Sequence, residues 1–413
     1  MALLDKFLER GVRKGTLEVH RPDGSSKRFG TPSPGYPDVS IRLRDKSAER
    51  RILTDPRIGA AEAFMDNQLA LEQGDIMQLV QLLRANAPWD RGGEVKEKSA
   101  FKTATGKLVT LVDGINRAAS AKKNIAHHYD IGNALYKLFL DTNHMQYSCA
   151  YWPEDGMTLE QAQTAKLAHI AAKLAMEPGQ RVLDIGCGWG GMAIYLAQNY
   201  DIKVLGITLS EEQLALARER TKEAGVGDRV SYELVDYREL PKRGEKFDRI
   251  VSVGMFEHVG QAQFNQFFKS TAELLTDEGV MLLHTIGRMG GPGTTDAFTR
   301  KYIFPGGYIP ALSETVASSE KFRMIATDVE NLRLHYAFTL REWYKRCVEN
   351  KDAIIALMDE RFYRMWIFYL AGATAAFESG SMCNYQIQYT RLRRTLPLTR
   401  DYMTAAETAL RRR

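Results

Sequence analysis

From residue 181 the sequence alternates short runs of Val, Ile and Leu with stretches of helical periodicity. The apolar runs lie in RVLDIGCG, KVLGITL, RVSYELVD, FDRIVSVGMF and VMLLHTI, and helical stretches such as SEEQLALARERTKEAG separate most of them. Strands that are apolar throughout are typical of a parallel sheet with helices on both faces. The sequence therefore predicts an α/β fold with a doubly wound, parallel sheet.

The first ninety residues follow a different pattern, which predicts a smaller α+β domain. Residues 16–44 are β-rich, since TLEVH and VSIRLR flank the turn-forming PDGSS, and residues 59–85 look helical, with Gly74 near a break between two helices. Residues 86–106 are polar and contain glycine, as linkers do. We therefore expect an N-terminal domain at 1–90, a linker at 91–110 and a larger domain at 111–413.

The last third of the chain predicts helices around an irregular segment. Residues 287–318 are rich in Gly and Pro, which in a compact domain often marks a lid or a binding loop. Amphipathic helical stretches follow at about 338–350 and 353–379, and a last strand is expected near 384–390.

Charge and cysteine content limit the classes of partner. The net charge is +5, and residues 1–60 alone carry 13 Lys/Arg against 8 Asp/Glu. Such a segment is either a solvated basic face or a surface attracted to anionic lipid headgroups. The sequence contains no recognisable nucleic-acid module.

The sequence also contains no apolar run of about 18 residues and no C-x-x-C pair. We therefore expect no transmembrane helix, no metal site, no disulfide framework and a reducing cytoplasm.

The turn after the first apolar run reads DIGCGWGG and fits two nucleotide fingerprints. Gly186, Gly188 and Gly191 satisfy the G-x-G-x-x-G of dinucleotide sites. Gly186, Gly188 and Gly190 satisfy the G-x-G-x-G of S-adenosylmethionine (SAM) enzymes. In either case the glycines let the backbone approach a ligand closely.

Acidic residues decide between the two ligands. A dinucleotide site needs an acid at the end of the second strand for the ribose hydroxyls, and residues 205–208 contain none. Asp184, which precedes the first glycine by two positions, suits the amino group of methionine and would repel a pyrophosphate. Asp236 ends the third strand, where it can accept from the adenine amino group. The predicted ligand is therefore SAM.

Two strand ends carry a candidate catalytic pair. Glu257 follows the fourth strand and His284 lies near the end of the fifth, so both should face the crevice at the carboxyl edge of the sheet. A lone histidine in a strand is more often a core residue, but a histidine and a glutamate beside a cofactor are more often functional. His258 and His335 are expected to be ordinary core residues, since nothing fixes their direction.

Several spaced motifs together resemble one known family. They are NIAHHYDIGNALYKLFLD, MQYSCAYW, LDIGCGWGG, GITLSEEQ, GMFEHVG, LLHTIG and IFPGGYIP. The chain resembles the cyclopropane-fatty-acyl-phospholipid synthases and their mycolic-acid relatives over roughly residues 124–390. The first ninety residues resemble, less sharply, the lipid-handling domain of bacterial two-domain members. The resemblance implies a SAM-methyltransferase (Rossmann-like) sheet.

The resemblance also implies a reaction and its setting. SAM would donate its methyl group to the cis double bond of an acyl chain in a membrane phospholipid. A carbocation or protonated cyclopropane would form, and a bound bicarbonate would remove a proton so that the ring closes. The enzyme would be a cytoplasmic homodimer at the inner membrane surface, without a nucleic-acid partner.

Site residues are implied by their positions in these motifs. Glu257 would accept from the bicarbonate hydroxyl, with His284 and Tyr336 as donors. Backbone groups near Cys149 and Ile286 would complete the bicarbonate site, and the reaction needs no thiolate. The expected SAM contacts are Tyr147, Ser148, Asp184, Gly186, Gly188, Thr208, Leu209, Gln213, Asp236 and Tyr237.

An apolar pocket is expected because water would quench a carbocation. Candidate walls are residues 362–370, Phe377, Tyr385 and the 302–308 loop, although a Met/aromatic stripe at helical spacing is equally often plain core. Many family members have a cysteine in the segment that reads LAGATAAFE here, where this chain has Ala373. Either that cysteine is dispensable or this chain catalyses altered chemistry.

Three alternative functions remain at this point. A related lipid C-methyltransferase would give a methyl or methylene branch instead of a ring. A small-molecule amine N-methyltransferase shares many of these motifs, but the basic N-terminal segment argues against it. A non-catalytic lipid-binding protein would have no need of Glu257, His284 and the glycine turn.

Overall fold

The computed structural model describes residues 3–55, 58–93 and 132–411. Its α-helices in chain order are α1 (Leu3–Gly11), α2 (Lys46–Thr54), α3 (Gly59–Met65), α4 (Ile76–Ala85), α5 (Asn133–Lys137), α6 (Leu159–Leu174), α7 (Gly191–Asn199), α8 (Glu211–Glu223), α9 (Phe264–Leu274), α10 (Leu312–Glu320), α11 (His335–Glu349), α12 (Lys351–Leu357), α13 (Glu360–Glu378) and α14 (Asp401–Arg411). Its strands are β1 (Gly15–His20), β2 (Ser26–Thr31), β3 (Asp38–Leu43), β4 (Leu69–Gln73), β5 (Arg181–Ile185), β6 (Lys203–Thr208), β7 (Val230–Leu234), β8 (Phe247–Val253), β9 (Leu275–Arg288), β10 (Ile325–Asn331) and β11 (Met382–Thr390).

The first of two compact units combines the described part of Met1–Ala100 with Thr295–Pro305 and Ala337–Ser381. Its sheet has the strand order β2-β1-β3-β4, in which β1 and β3 are parallel and the two outer pairs are antiparallel. The strands predicted within residues 16–44 are confirmed. Residues 59–85 contain the two predicted helices, α3 and α4, with Gly74 in the break between them, but the prediction missed β4, which Gly74 directly follows.

This unit is not a contiguous piece of the chain. Helix α13 packs against α3 and α4, and Arg361 Nε on α13 lies 2.8 Å from Asp66 Oδ1. The first ninety residues thus fold together with a segment from the last fifth of the sequence. Most of the linker expected at 91–110 lies outside the described residues, and the domain boundaries at 1–90 and 111–413 stay a prediction.

The second unit contains a seven-stranded sheet of order β10-β11-β9-β8-β5-β6-β7. Strands β5 to β9 are parallel to one another, and β11 is antiparallel to both β9 and β10. The doubly wound α/β class is confirmed, but the sheet is mixed where the sequence predicted a parallel one. The sequence did not predict the edge strand β10, because its one fully buried side chain is the charged Asp328.

Both faces of this sheet are covered by helices. Val182 and Val251 belong to one buried cluster together with α6, α7 and α8, whereas the adjacent Leu183 and Ile250 belong to a second cluster together with α9. Successive side chains of a strand point to opposite faces. Burial on both faces explains why these strands read as unbroken apolar runs.

The strand order reverses at β5, which places the glycine turn at a ligand-binding position. The chain adds β6 and β7 on one side of β5 and then returns to β8 on its other side. Doubly wound sheets bind ligands beyond the carboxyl ends of the strands at such a reversal. The turn that follows Ile185 lies at this point.

The C-terminal third departs from the prediction at two places. The helix expected at 353–379 is interrupted between α12 and α13, and the irregular segment 287–318 contains a π-helical turn, Thr299–Ile303, and the start of α10. The last strand, expected near 384–390, is confirmed as β11. Among the helices of the described residues, none has both the length and the apolarity to cross a membrane.

A buried network of charged side chains joins α6 to β10 and α14. The two ring nitrogens of His169 lie 2.8 Å from Glu407 Oε2 and 2.7 Å from Glu330 Oε2, and the ring stacks on Tyr151. Lys173, one turn further along α6, also donates to Glu330. Burial lowers the pKa of His169, but the hydrogen bonds to the two glutamates outweigh burial and raise this pKa above its ordinary value.

We expect this network to stabilise the protein most at acidic pH. A histidine whose pKa is raised by folding stabilises fully below its unfolded pKa of about 6.5 and loses its contribution as the pH rises through the folded pKa. Thermal melts of the wild type and of His169→Gln at about pH 6 and about pH 8 should therefore show a Tm difference that shrinks as the pH rises. A difference that stays constant or grows would mean that His169 is neutral in the folded protein.

Candidate functional site

A cleft lies beyond the carboxyl ends of the parallel strands in the second unit. All ten residues that the sequence assigned to SAM line it: Tyr147, Ser148, Asp184, Gly186, Gly188, Thr208, Leu209, Gln213, Asp236 and Tyr237. The lining also contains side chains that sequence reasoning did not single out, among them Gln146, Trp189, Arg238, Met255 and His258. His258 is half-buried and lines the cleft, although the sequence predicted an ordinary core residue.

Side chains of α6 form hydrogen bonds with the loop that carries Tyr147 and Ser148. Lys166 Nζ donates to Ser148 Oγ at 3.0 Å and to Gln146 Oε1, and Gln163 Nε2 donates to Ser148 O at 3.0 Å. Burial lowers the pKa of Lys166 to about 7. These bonds fix the backbone of the loop at the wall of the cleft.

At two glycines the wall of the cleft consists of backbone without a side chain. Gly186 has φ +80, and a Cβ there would lie 2.8 Å from the side chain of Met255. Gly188 has φ +53, and a Cβ there would meet no protein atom within 4 Å. Positive φ favours glycine at both positions. A side chain at Gly188 would therefore occupy open space that a ligand needs.

Asp184 supplies an acceptor that no other described residue satisfies. The residue is 1% exposed, and its Oδ2 is buried without a hydrogen-bond partner among the described residues. Burial raises the pKa of Asp184 to about 7, and the charge of Lys166 opposes this. A buried carboxylate is stabilised by a cation, so this atom fits the amino group of SAM.

The ends of β6 and β7 provide further polar groups. Thr208 Oγ1 donates to Gln213 Oε1 at 2.9 Å, which leaves the NH₂ group of Gln213 for a ligand. Arg238 donates two side-chain hydrogen bonds to Asp236, at 2.8 and 2.6 Å. The carboxylate still has lone pairs that can accept from the adenine amino group. Arg238 follows Asp236 by two residues, a local pattern from which the sequence analysis drew no prediction.

Glu257 lies beside the cleft, in the short 3₁₀ turn Phe256–His258 after β8. Its Oε1 accepts from the backbone N–H of Ile286 at 2.6 Å, and its Oε2 is buried without a partner among the described residues. Burial raises the pKa of Glu257 to about 7, although the bond from Ile286 acts in the opposite direction. The N–H of Ile286 thus holds the carboxylate, and the role expected for backbone groups near Ile286 at a bicarbonate stays a prediction.

His284 is 1% exposed and lies two residues before Ile286 on the same face of β9. Its Nδ1 is 3.1 Å from Gln386 Nε2, and its Nε2 is 3.2 Å from Asn384 Nδ2. Burial holds the pKa of His284 well below its ordinary value, so the ring is neutral. Neither His284 nor Glu257 is among the residues that line the cleft. Glu257 bonds to the backbone of Ile286, two residues along β9 from His284.

Cys149 and Tyr336 are buried and also lie outside the lining of the cleft. Cys149 is 0% exposed, and its Sγ donates to Ala150 O at 3.3 Å. Burial raises the pKa of the Cys149 thiol well above its ordinary value, which disfavours a thiolate. Tyr336 is in the first turn of α11, next to His335, whose Nδ1 accepts from Trp152 N at 2.9 Å.

The aromatic stripe at 362–370 packs within the first unit. Phe362 stacks on Trp366, and Phe368 contacts Phe64 and Phe298 with ring centroids 6.2 and 5.1 Å apart. These contacts are typical of a core, so a role as a wall for substrate stays a prediction. Elsewhere in the described ranges, no three His, Cys, Asp or Glu side chains are placed to share a metal ion.

A family model and several known proteins are similar to this chain in sequence. The family model described as mycolic acid cyclopropane synthetase matches residues 116–387. The cyclopropane-fatty-acyl-phospholipid synthase of Escherichia coli (strain K12) is 38% identical over 364 residues, which are 88% of this chain and 91% of that protein. A probable fatty acid methyltransferase of Pseudomonas putida is 44% identical over 289 residues, 68% of this chain and 73% of that protein.

Solved structures agree with the sequence matches. A mycolic acid cyclopropane synthase complexed with SAH and CTAB superimposes with a TM-score of 0.60 at 33% sequence identity, covering 65% of this chain and 97% of that one. The family model itself covers well over half of the chain. The chain therefore belongs to the mycolic acid cyclopropane synthetase family, and it is a SAM-dependent methyltransferase.

Proposed function

We propose that this enzyme transfers a methylene group from SAM to the cis double bond of an unsaturated phospholipid acyl chain and closes a cyclopropane ring with bound bicarbonate as general base. The observation that carries the proposal is the buried Oε2 of Glu257, which has no partner among the described residues, in a carboxylate bonded to the backbone of β9, the strand of His284. The phospholipid substrate is supported by the likeness to the Escherichia coli enzyme, which extends over 88% of the chain, beyond the range of the family model.

SAM fits the cleft through the chain's own donors and acceptors. Asp184 Oδ2 would bind its amino group, Gln213 and Thr208 its ribose hydroxyls, and Asp236 with Tyr237 its adenine. When bound, SAM supplies an electrophilic methyl group. The loop of Tyr147 and Ser148 and the glycine turn would fix its position relative to the acceptor, which is where such an enzyme gains most of its rate.

Bicarbonate would satisfy the buried Oε2 of Glu257 for a similar reason. Its hydroxyl would donate to Glu257 Oε2, and the ring N–H of His284 and the hydroxyl of Tyr336 would donate to its other oxygens. The bond from Ile286 holds the carboxylate in this orientation. The raised pKa of the Cys149 thiol supports a role for the backbone at that residue rather than for its sulfur.

The proposal extends to the site of action in the cell. The chain would work as a homodimer on the cytoplasmic side of the inner membrane, as a peripheral protein without a nucleic-acid partner. Helix α1 supports a lipid surface as partner, since Leu3 and Phe7 are 66% and 58% exposed beside the exposed Lys6 and Arg10. Apolar side chains flanked by basic ones are typical of helices that lie in a membrane interface.

Vesicles of unsaturated phospholipid, incubated with SAM and the enzyme, test the proposal by mass spectrometry of the acyl chains. We expect a gain of one CH₂ with loss of the double bond. A product that keeps its unsaturation or needs an added reductant would establish the branch-forming alternative. Turnover of a soluble amine without a lipid product would refute a lipid substrate.

Substitution of Glu257 by Gln should abolish most turnover and leave SAM binding intact. The amide cannot orient the base as a carboxylate does, and such assistance is worth about 10²-fold or more in kcat. Calorimetric SAM titration and the vesicle assay measure the two effects separately. Glu278→Gln, on the exposed start of β9, is the matched control and should behave as wild type. Equal losses of SAM binding and turnover in Glu257→Gln would make Glu257 a structural residue.

Gly188→Ala should weaken SAM binding more than its effect on stability explains. Gly179 has φ +81 and equally open space, but it lies in a turn before β5 and away from the cleft. Both substitutions force an L-residue into positive φ at a cost of about 1 kcal/mol. We expect similar losses of Tm and a decrease in SAM affinity in Gly188→Ala alone. Equal affinity in both variants would place the ligand elsewhere.

A further inference from the structure

We infer that Gln386, oriented by Lys173, fixes the proton of His284 on Nε2, which makes Gln386 and Lys173 positioning residues for the reaction. The inference rests on the proposed function in that His284 is taken as a donor to bicarbonate. The geometry itself is independent of any substrate. Neither residue was expected at the site from the sequence.

The three side chains form a chain of contacts in the interior of the second unit. Gln386 on β11 pairs directly with His284 on β9, and both are at most 1% exposed. Lys173 at the end of α6 is 3% exposed, and its Nζ donates to Gln386 Oε1 at 2.8 Å. Water therefore has little access to any of the three.

The orientation of the Gln386 amide follows from its partner. An ammonium group has donors and no acceptor, so the amide oxygen must face Lys173. The amide NH₂ group consequently faces His284, with 3.1 Å between Nε2 of Gln386 and Nδ1 of the ring. Nδ1 accepts this hydrogen bond and carries no proton.

The second ring nitrogen then has to be the donor. Burial keeps the pKa of His284 well below its ordinary value, so the ring has a single N–H, on Nε2. Asn384 Nδ2 lies 3.2 Å from this nitrogen, and two N–H groups do not bond to each other. Asn384 thus either turns its oxygen to the ring or leaves the ring N–H for a ligand. Amide oxygen and nitrogen are interchangeable in such an assignment.

Lys173 is itself held by a charged partner. It also donates to Glu330, and although burial acts in the opposite direction, the bond from His169 and the charge of Lys173 lower the pKa of Glu330 to about 2. Burial lowers the pKa of Lys173, and the Glu330 carboxylate opposes this. The ion pair keeps an ammonium group in front of Gln386, so the amide cannot reverse.

Gln386→Glu should reverse the tautomer of His284. A carboxylate has no donor, so it would accept from Lys173 on one side and from a proton on Nδ1 on the other. Nitrogen NMR of protein labelled with ¹⁵N-histidine distinguishes the two tautomers, and His284→Gln identifies the signals by their loss. We expect Nε2–H in the wild type and a protonated Nδ1 in Gln386→Glu.

A matched control and a second variant complete the experiment. Gln388 is two residues further along β11, 1% exposed, and donates to Lys173 O and Tyr402 Oη rather than to His284. Gln388→Glu should therefore leave the His284 signals unchanged. If Gln386→Glu does not fold, Lys173→Met frees the amide to reverse and should give both tautomers. A wild-type Nδ1–H, or no change in either Lys173→Met or a folded Gln386→Glu, would overturn the inference.

Measurements of kcat distinguish the positioning role of Gln386 from the proposed cyclopropane-forming activity. With Nε2 unprotonated the donor is lost, so kcat in the vesicle assay should fall about tenfold or more in Gln386→Glu while SAM binding is retained. A reversed tautomer with unchanged turnover would refute the positioning role. A wild type with the Nε2–H tautomer but no cyclopropane product would refute the proposed function and leave the tautomer assignment standing.

Discussion

Burial of ionisable side chains behind the carboxyl edge of the sheet is the constraint on which the site depends. Asp184, Glu257 and Lys166 lie where water does not solvate them, and burial brings the pKa of each to about 7. Two of these groups keep an oxygen without a partner among the described residues. Unpaired polar atoms in such an interior are costly, so a cationic or hydroxylic ligand gains binding energy by satisfying them.

The rest of the second unit serves to hold these groups in place. Helix α6 carries Lys166, which donates to Ser148, and, two turns further on, Lys173, which donates to the Gln386 side chain in contact with His284. The glycine turn gives backbone access without a Cβ at Gly188. A single helix thus supports both the expected SAM contacts and His284, the expected donor to bicarbonate.

Much of the site was predictable from sequence because its signals are local. A strand, a glycine turn and the polar residues at strand ends occur within a few positions of each other, so all ten SAM positions fall in one cleft. Contacts between distant segments were not predictable. Gln386 reads as an ordinary polar residue of a strand, since its partner His284 lies 102 positions away. The same holds for α13, which packs with the first ninety residues, and for β10, in which Ile325 and Val329 are exposed and Asp328 is buried.

The position of β11 near the end of the chain determines when His284 gains its neighbours during synthesis. Residues 337–381 belong to the first unit, and they are made between β10 and β11. A ribosome therefore releases the glycine turn and the ends of β5 to β9 long before it releases Gln386 and Asn384. In a nascent chain His284 therefore lacks both of its neighbours on β11 until synthesis is almost finished, so the proposed bicarbonate site is the later of the two sites to be completed.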